Sequence, residues 1–310
     1  MKTKHLSLFS IILSAAFLFS SCQKDAATQE EDFTTQSTTH SDDQSRFSNE
    51  SDAVANDVVS EVEAAASFSG RPGDVQTLIC NASVTVDTVS NPRTVTIVYN
   101  GASCLGNVTR TGTVVVSMAQ GVRWKNAGAV INVSFQNLRI TRVSDNKSIT
   151  INGTQSHTNV TGGLLINLPQ LNTITHTITS SNMSVTFDNG SQRTWQVARQ
   201  RTFTYSNGVA VTVTGTHTEG NQTGVAEWGT NRFGNTFTTT ITQPLVMRQD
   251  CSFRLGSGQV KHTTSQFSST VTFGLNASGV PTSCPGLGNY YMQIAWTGPA
   301  GNTHTSLHPY

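Results

Sequence analysis

An all-β, antiparallel fold is predicted by three observations. Apolar residues alternate with polar ones through most of the chain after residue 76. Thr, Val and Ile dominate those runs, and Asn-Gly pairs punctuate them. Alternation at period two is the mark of a half-buried strand, β-branched residues fit a pleated surface, and Asn-Gly suits tight hairpin turns. With hairpin links and no helix-length spacers, βαβ crossovers have no room. The expected architecture is an antiparallel meander or sandwich of two related modules, residues 76–160 and 162–300, with one short N-terminal helix. Gly162-Gly163 is the expected joint.

The strands follow from the alternation. Val95, Ile97 and Tyr99 share a face, as do Val114, Val116 and Met118, then Ile131, Val133 and Phe135. Ile149 and Ile151 continue the pattern, followed by Ile174, His176 and Ile178, and by Met183, Val185 and Phe187. Phe203 pairs with Tyr205, and Val209, Val211 and Val213 come next. Later faces are Phe237, Thr239 and Ile241; Val271 and Phe273; and Tyr291, Gln293 and Ala295. Asn100-Gly101, Asn152-Gly153, Asn189-Gly190 and Asn207-Gly208 are the expected turns. The segments Ile149–Asn159 and Val211–Asn221 resemble each other, each placing Gly-Thr inside a strand-like run.

The N-terminus reads as an export signal. Lys2 and Lys4 precede a mostly apolar stretch from Leu6 to Phe19, too short to span a bilayer comfortably. Ser20, Ser21 and Cys22 follow, then a polar run. Small residues before a Cys at a signal boundary predict cleavage after residue 21 and lipidation of Cys22. Phe19 stands where a smaller aliphatic is more usual. Residues 22–50 read as an acidic, flexible tether. Residues 51–68 read as the short helix, with Val54, Val58 and Val62 as its stripe and Gly70, Pro72 and Gly73 as its stop.

The formal net charge of +1 hides a division. Gln23 to Asp74 holds twelve acidic and three basic residues; Val75 onward holds six acidic and fourteen basic. Both halves read as solvated surface. No dense basic cluster points to nucleic acid. Export makes disulfides expected among Cys80, Cys104, Cys251 and Cys284. The simplest pairing is local, Cys80 with Cys104 and Cys251 with Cys284, although the other two pairings stay open. No CxxC spacing suggests zinc.

Catalytic signals are sparse. Glu219 and Glu227 lie close before Trp228 and are the best carboxylate pair for a glycosidase, though nothing sets them across a cleft. The body histidines, His157, His176, His217, His262, His304 and His308, show no tight metal-ligand spacing. No GxSxG elbow occurs. Trp124 with Arg123, and Trp195 with Arg199, are candidates for a glycan platform built on stacking and cation–π contacts; the competing reading is that these rings fill the core. No metal or cofactor is expected.

The runs Asn107–Val116 and Gly128–Asn137, together with Gly153-Thr154, Asn159, Thr240–Val246 and Cys251, resemble a family of uncharacterised outer-membrane and surface lipoproteins of Bacteroidota. The acidic run after Cys22 resembles that phylum's surface-export signal, with Gln23 and Lys24 intervening. The resemblance implies a lipid-anchored outer-membrane protein with a β-rich body, facing the periplasm or the cell surface. It brings no enzymatic activity and no ligand. The expected function is non-enzymatic, structural or adhesive, with an envelope protein or a glycan as partner. The alternatives are carbohydrate binding and hydrolysis of cell-surface polymers.

Overall fold

The computed structural model describes residues 26–74, 79–180, 182–284, 288–298 and 301–310, with side chains from residue 32. The expected signal peptide and Cys22 lie outside the described residues.

The fold is all-β and antiparallel, built on one sheet of 16 strands. The strands are β1 Ala82–Asp87, β2 Arg93–Ala102, β3 Val108–Met118, β4 Ala129–Arg142, β5 Ser148–Asn159 and β6 Thr173–Ser180. They continue as β7 Ser184–Phe187, β8 Gln192–Tyr205, β9 Val209–Gly215, β10 His217–Glu219 and β11 Gln222–Thr230. The last five are β12 Thr236–Arg248, β13 Leu255–Thr264, β14 Ser268–Leu275, β15 Tyr291–Thr297 and β16 Thr303–Pro309. The order runs β1 to β6, then β8, then β11 to β16. β7 is shared between β5 and β8, β9 between β8 and β12, and β10 joins β11.

The two expected modules are therefore one continuous sheet. β5 pairs with β6 directly across Gly162-Gly163, with His157 opposite Ile178. Asn159 locks this joint: its side-chain amide donates to the carbonyls of Trp124 and Gly163, and its carbonyl accepts from Gly162 N–H. Both disulfides are local, Cys80–Cys104 and Cys251–Cys284.

The alternation reads correctly for most strands: Val95, Ile97, Val114, Val116, Ile131 and Val133 are all fully buried. β15 is a correction. Its buried face is Met292, Ile294 and Trp296, not Tyr291, Gln293 and Ala295, because the larger apolar side chains occupy the other parity. Tyr205 is likewise exposed although Phe203 is buried. Asn189-Gly190 and Asn207-Gly208 do form turns, but Asn100-Gly101 and Asn152-Gly153 lie within β2 and β5. Gly153 serves close approach: a Cβ there would collide with the backbone of Asn182 and Met183. Gly215, its counterpart in the similar segment, is crowded in the same way by Gly224.

The largest correction concerns the N-terminal segment. The expected tether and short helix are a single helix, α1, Ala26–Ala64, of 39 residues. A four-residue helix, α2 Ala66–Ser69, follows, and Gly70 caps it in the left-handed conformation. No Gly or Pro occurs from Ala26 to Ser69, in a chain that holds 25 Gly and 8 Pro; nothing in the segment interrupts a helix. At 1.5 Å per residue α1 spans about 58 Å.

α1 is not a surface helix. Phe47, Val54, Val58 and Val62 are completely buried, and so are Ser37, His40 and Ser41 on the same helix. Side chains of β2, β3, β4, β5, β8, β11, β12 and β13 reach it, so the sheet curls around the helix. A main apolar cluster joins α1 to the inner faces of β2–β8. A second cluster, around Phe203, Val211, Val260 and Ile294, packs the β8–β15 region. Register shifts in β4 and β12 help the strands bend, and Pro244 sits at one of them.

Candidate functional site

The charge division of the sequence is the chemistry of the helix–sheet interface. Arg142 of β4 donates to Asp42 at 2.6 Å. Arg232 grips Asp43 through two bonds of 2.6 Å. Arg110 of β3 donates to Glu50 at 2.8 Å, and Arg199 of β8 reaches Asp52 at 3.3 Å. Gln155 of β5 donates to Ser51, and Tyr99 of β2 donates to Asp57 at 2.8 Å. Asp42, Asp43, Glu50 and Asp52 are thus matched by arginines of the β body.

Glu227 sits at the centre of this interface with no exposed surface. Its Oε1 accepts from Arg199, Ser48 and Gln44, and its Oε2 accepts from Trp195 Nε1 at 2.7 Å. This occupancy explains two expectations at once. Glu219 is exposed on β10 and pairs with His217, so it does not face Glu227 across a cleft. Trp195, Trp124 and Arg199 are buried rather than displayed. The glycan platform predicted on Trp124, Arg123, Trp195 and Arg199 is therefore not formed. Arg123 instead donates to the carbonyl of Ser67 at 2.8 Å, and Trp124 N–H to that of Phe68, tying β-sheet loops to α2.

Four buried histidines face the same interior. Burial holds the imidazoles of His40, His157 and His176 down to about 3, and drives that of His262 well below its usual value. All four are neutral at physiological pH. His40 packs edge-on against His262, with ring centres 4.8 Å apart, and against Phe237 at 4.7 Å. Among the described residues, the one group of metal-ligating type is Asp250 with Cys251 and Cys284. Both its sulfurs are committed to a disulfide, so it does not offer thiolates.

One cavity combines polar and apolar walls. It lies between the C-terminal half of α1 and the β8–β9 hairpin, with a volume of about 460 Å³. That is within the roughly 300–1,000 Å³ of small-molecule pockets. Helix residues Asn56, Asp57, Ser60 and Glu63, with Arg71 beyond α2, form the polar wall. Phe203, Val209, Val211, Leu165 and Phe253 form the apolar wall.

The polar wall is fixed from behind. Arg201 donates to the side-chain carbonyl of Asn56 at 2.6 Å, leaving the amide NH2 as a donor. Tyr99 holds one oxygen of Asp57. The N–H of Leu165 bridges both oxygens of Glu63, at 2.8 and 3.0 Å. Burial raises the Glu63 carboxyl to about 7. On the opposite side, Ser252 and Phe253 both take left-handed backbone conformations, φ 55° and 53°, directly after Cys251. A bulky residue in that region is strained; here it sets a half-exposed Phe253 at the cavity.

None of these cavity residues stands out in the sequence. The available signal is the helical spacing of Asn56, Asp57, Ser60 and Glu63 opposite the Val54, Val58 and Val62 stripe.

The fold and site define an antiparallel sheet wound on its own N-terminal helix, with a mixed cavity beside that helix. No protein-family profile, curated protein or solved structure matches the chain significantly.

Proposed function

We propose that this chain is an exported lipoprotein, anchored through Cys22, whose β body works non-enzymatically at the cell envelope in a structural or adhesive role. The observation that carries the reading is the use of the interior. The charged residues best suited to chemistry, Glu227 and Arg199, are consumed in bonds between α1 and the sheet. The two disulfides suit an oxidising compartment. Cys22 precedes the first residue of α1 by four positions, so a lipid there would place the body close to a membrane surface, which is the outer membrane in this reading. The hydrolase alternative loses the pair it was read on, because Glu227 is buried under α1 while Glu219 is exposed and paired with His217. The carbohydrate-binding alternative loses its tryptophan platform.

The test is metabolic labelling with a clickable fatty acid in a Gram-negative host, followed by membrane fractionation. The native chain should carry label and sediment with membranes, and Cys22→Ser should lose both. Unlabelled protein that sediments equally with and without Cys22 would overturn the anchor.

A further inference from the structure

We propose that the cavity between α1 and the β8–β9 hairpin is a binding site for a neutral saccharide, a short glycan or the end of a longer one. The proposal does not depend on lipidation of Cys22.

Three features argue for this ligand class. First, the polar wall offers both donors and acceptors: the Asn56 amide NH2 and Arg71 donate, Asp57 and Glu63 accept, and the Ser60 hydroxyl does either. Sugar hydroxyls are themselves donor and acceptor, and match such a mixed wall. Second, the wall has no dominant sign. Arg71 counters Glu63, whose carboxyl is raised by burial to about 7 and only part-ionised near neutral pH, and burial raises the Asp57 carboxyl as well. A site for an organic cation or anion would concentrate one charge. Third, the facing wall presents the half-exposed ring of Phe253. The negative face of an aromatic ring attracts the weakly positive C–H groups on the flat side of a sugar.

The site is also prepared in advance. Arg201, Tyr99 and the N–H of Leu165 hold Asn56, Asp57 and Glu63 in place. Little side-chain ordering remains to be done on binding, which favours affinity. Phe253 sits on a left-handed turn next to the Cys251–Cys284 disulfide, so its position is set covalently from one side.

The experiment uses the full chain, purified in a sugar-free zwitterionic detergent, on an array of neutral glucose-, galactose-, mannose- and N-acetylglucosamine-terminated glycans beside sialylated and sulfated ones. The expected result is saturable binding to at least one neutral class. Phe253→Ala should weaken it by roughly three- to tenfold, the scale of a lost stacking contact. Ser60→Trp, which fills the cavity from an exposed helix position, should abolish it. Both variants should keep the native circular dichroism spectrum. The absence of binding to every neutral glycan, binding confined to the anionic ones, or binding undiminished in a folded Phe253→Ala chain would each overturn the proposal. Labelling at Cys22 reads the anchor separately, so failure of one leaves the other standing.

Discussion

At Glu227 a carboxylate with no exposed surface is satisfied by four donors on two other elements, α1 and β8. Such a group is costly to remove singly, because its partners stay buried. Glu227→Ala strands the Arg199 guanidinium and the Trp195 indole N–H, and is expected to cost about 3–5 kcal/mol. Glu219→Ala, at an exposed position, should change stability by less than about 0.5 kcal/mol. Urea unfolding of the two variants measures the contrast, and equal effects would show that Glu227 is not the hub described. The buried histidines make a second prediction at this scale. Their folded-state values lie near 3, below the usual 6.5. Unfolded chains therefore bind more protons between those values, and the stabilisation present above pH 6.5 is lost as pH falls toward 3. Glu63, raised to about 7, acts in the opposite direction between about pH 7 and 4.5. Asp43, raised to about 6, and Asp57, also raised by burial, act in the same direction as Glu63, and with His262 included the four histidines outweigh these three carboxyls. The melting temperature should fall steadily from pH 6.5 to 4, and His40→Phe should make the slope shallower.

At the scale of elements, α1 replaces a linker with a core. Its Phe47, Val54, Val58 and Val62 side chains each contribute roughly 1.5–3 kcal/mol through burial. A tether would be cut by trypsin at Arg46, whereas a helix inside a sheet protects that bond; Arg46 is only 9% exposed. Limited trypsinolysis of the native chain should leave Arg46–Phe47 intact, with cleavage there appearing only after denaturation. Prompt cleavage of the folded protein would contradict the buried helix. This element also shows where sequence reading stops. Period-two alternation locates the strands of β2 to β5 because each strand carries its own pattern. It cannot locate α1, whose burial depends on Arg110, Arg142, Arg199 and Arg232, between 60 and 189 residues away. Read locally, twelve acidic residues look like a solvated tail. For the same reason Trp195 and Arg199 look available to a ligand until their partner Glu227 is seen across the strand pair β8–β11. The cavity was illegible because its two walls come from opposite ends of that long-range match.

For the whole molecule, one sheet running from β1 to β16 has its two edge strands more than 200 residues apart in sequence. Continuity across Gly162-Gly163 means that residues 76–160 do not form an independent unit. Truncation after Asn159 exposes the edge of β5 and removes Glu227, Arg199 and Arg232 from the helix. Such a truncated chain should fail to unfold cooperatively and should aggregate, as unpaired strand edges do. A soluble fragment with a sharp melting transition would restore the two-module description. The disulfides are confined to the ends of the sheet, Cys80–Cys104 beside β1 and β2, and Cys251–Cys284 beside β13 and β14. Reduction should loosen those ends while leaving the helix-centred middle folded. Amide exchange with and without reductant would show this as faster exchange in β1, β2 and β14 only.

α1 precedes every strand that packs around it. During synthesis the helix emerges before every strand, yet Arg232 follows Asp43 by 189 residues. Closure must therefore wait for most of the strands, and such distant contacts make folding slow. The nascent sheet is in effect a receptor whose ligand is its own leading segment. A peptide spanning residues 26–69, added to a chain that begins at residue 70, should then restore a cooperative fold in trans.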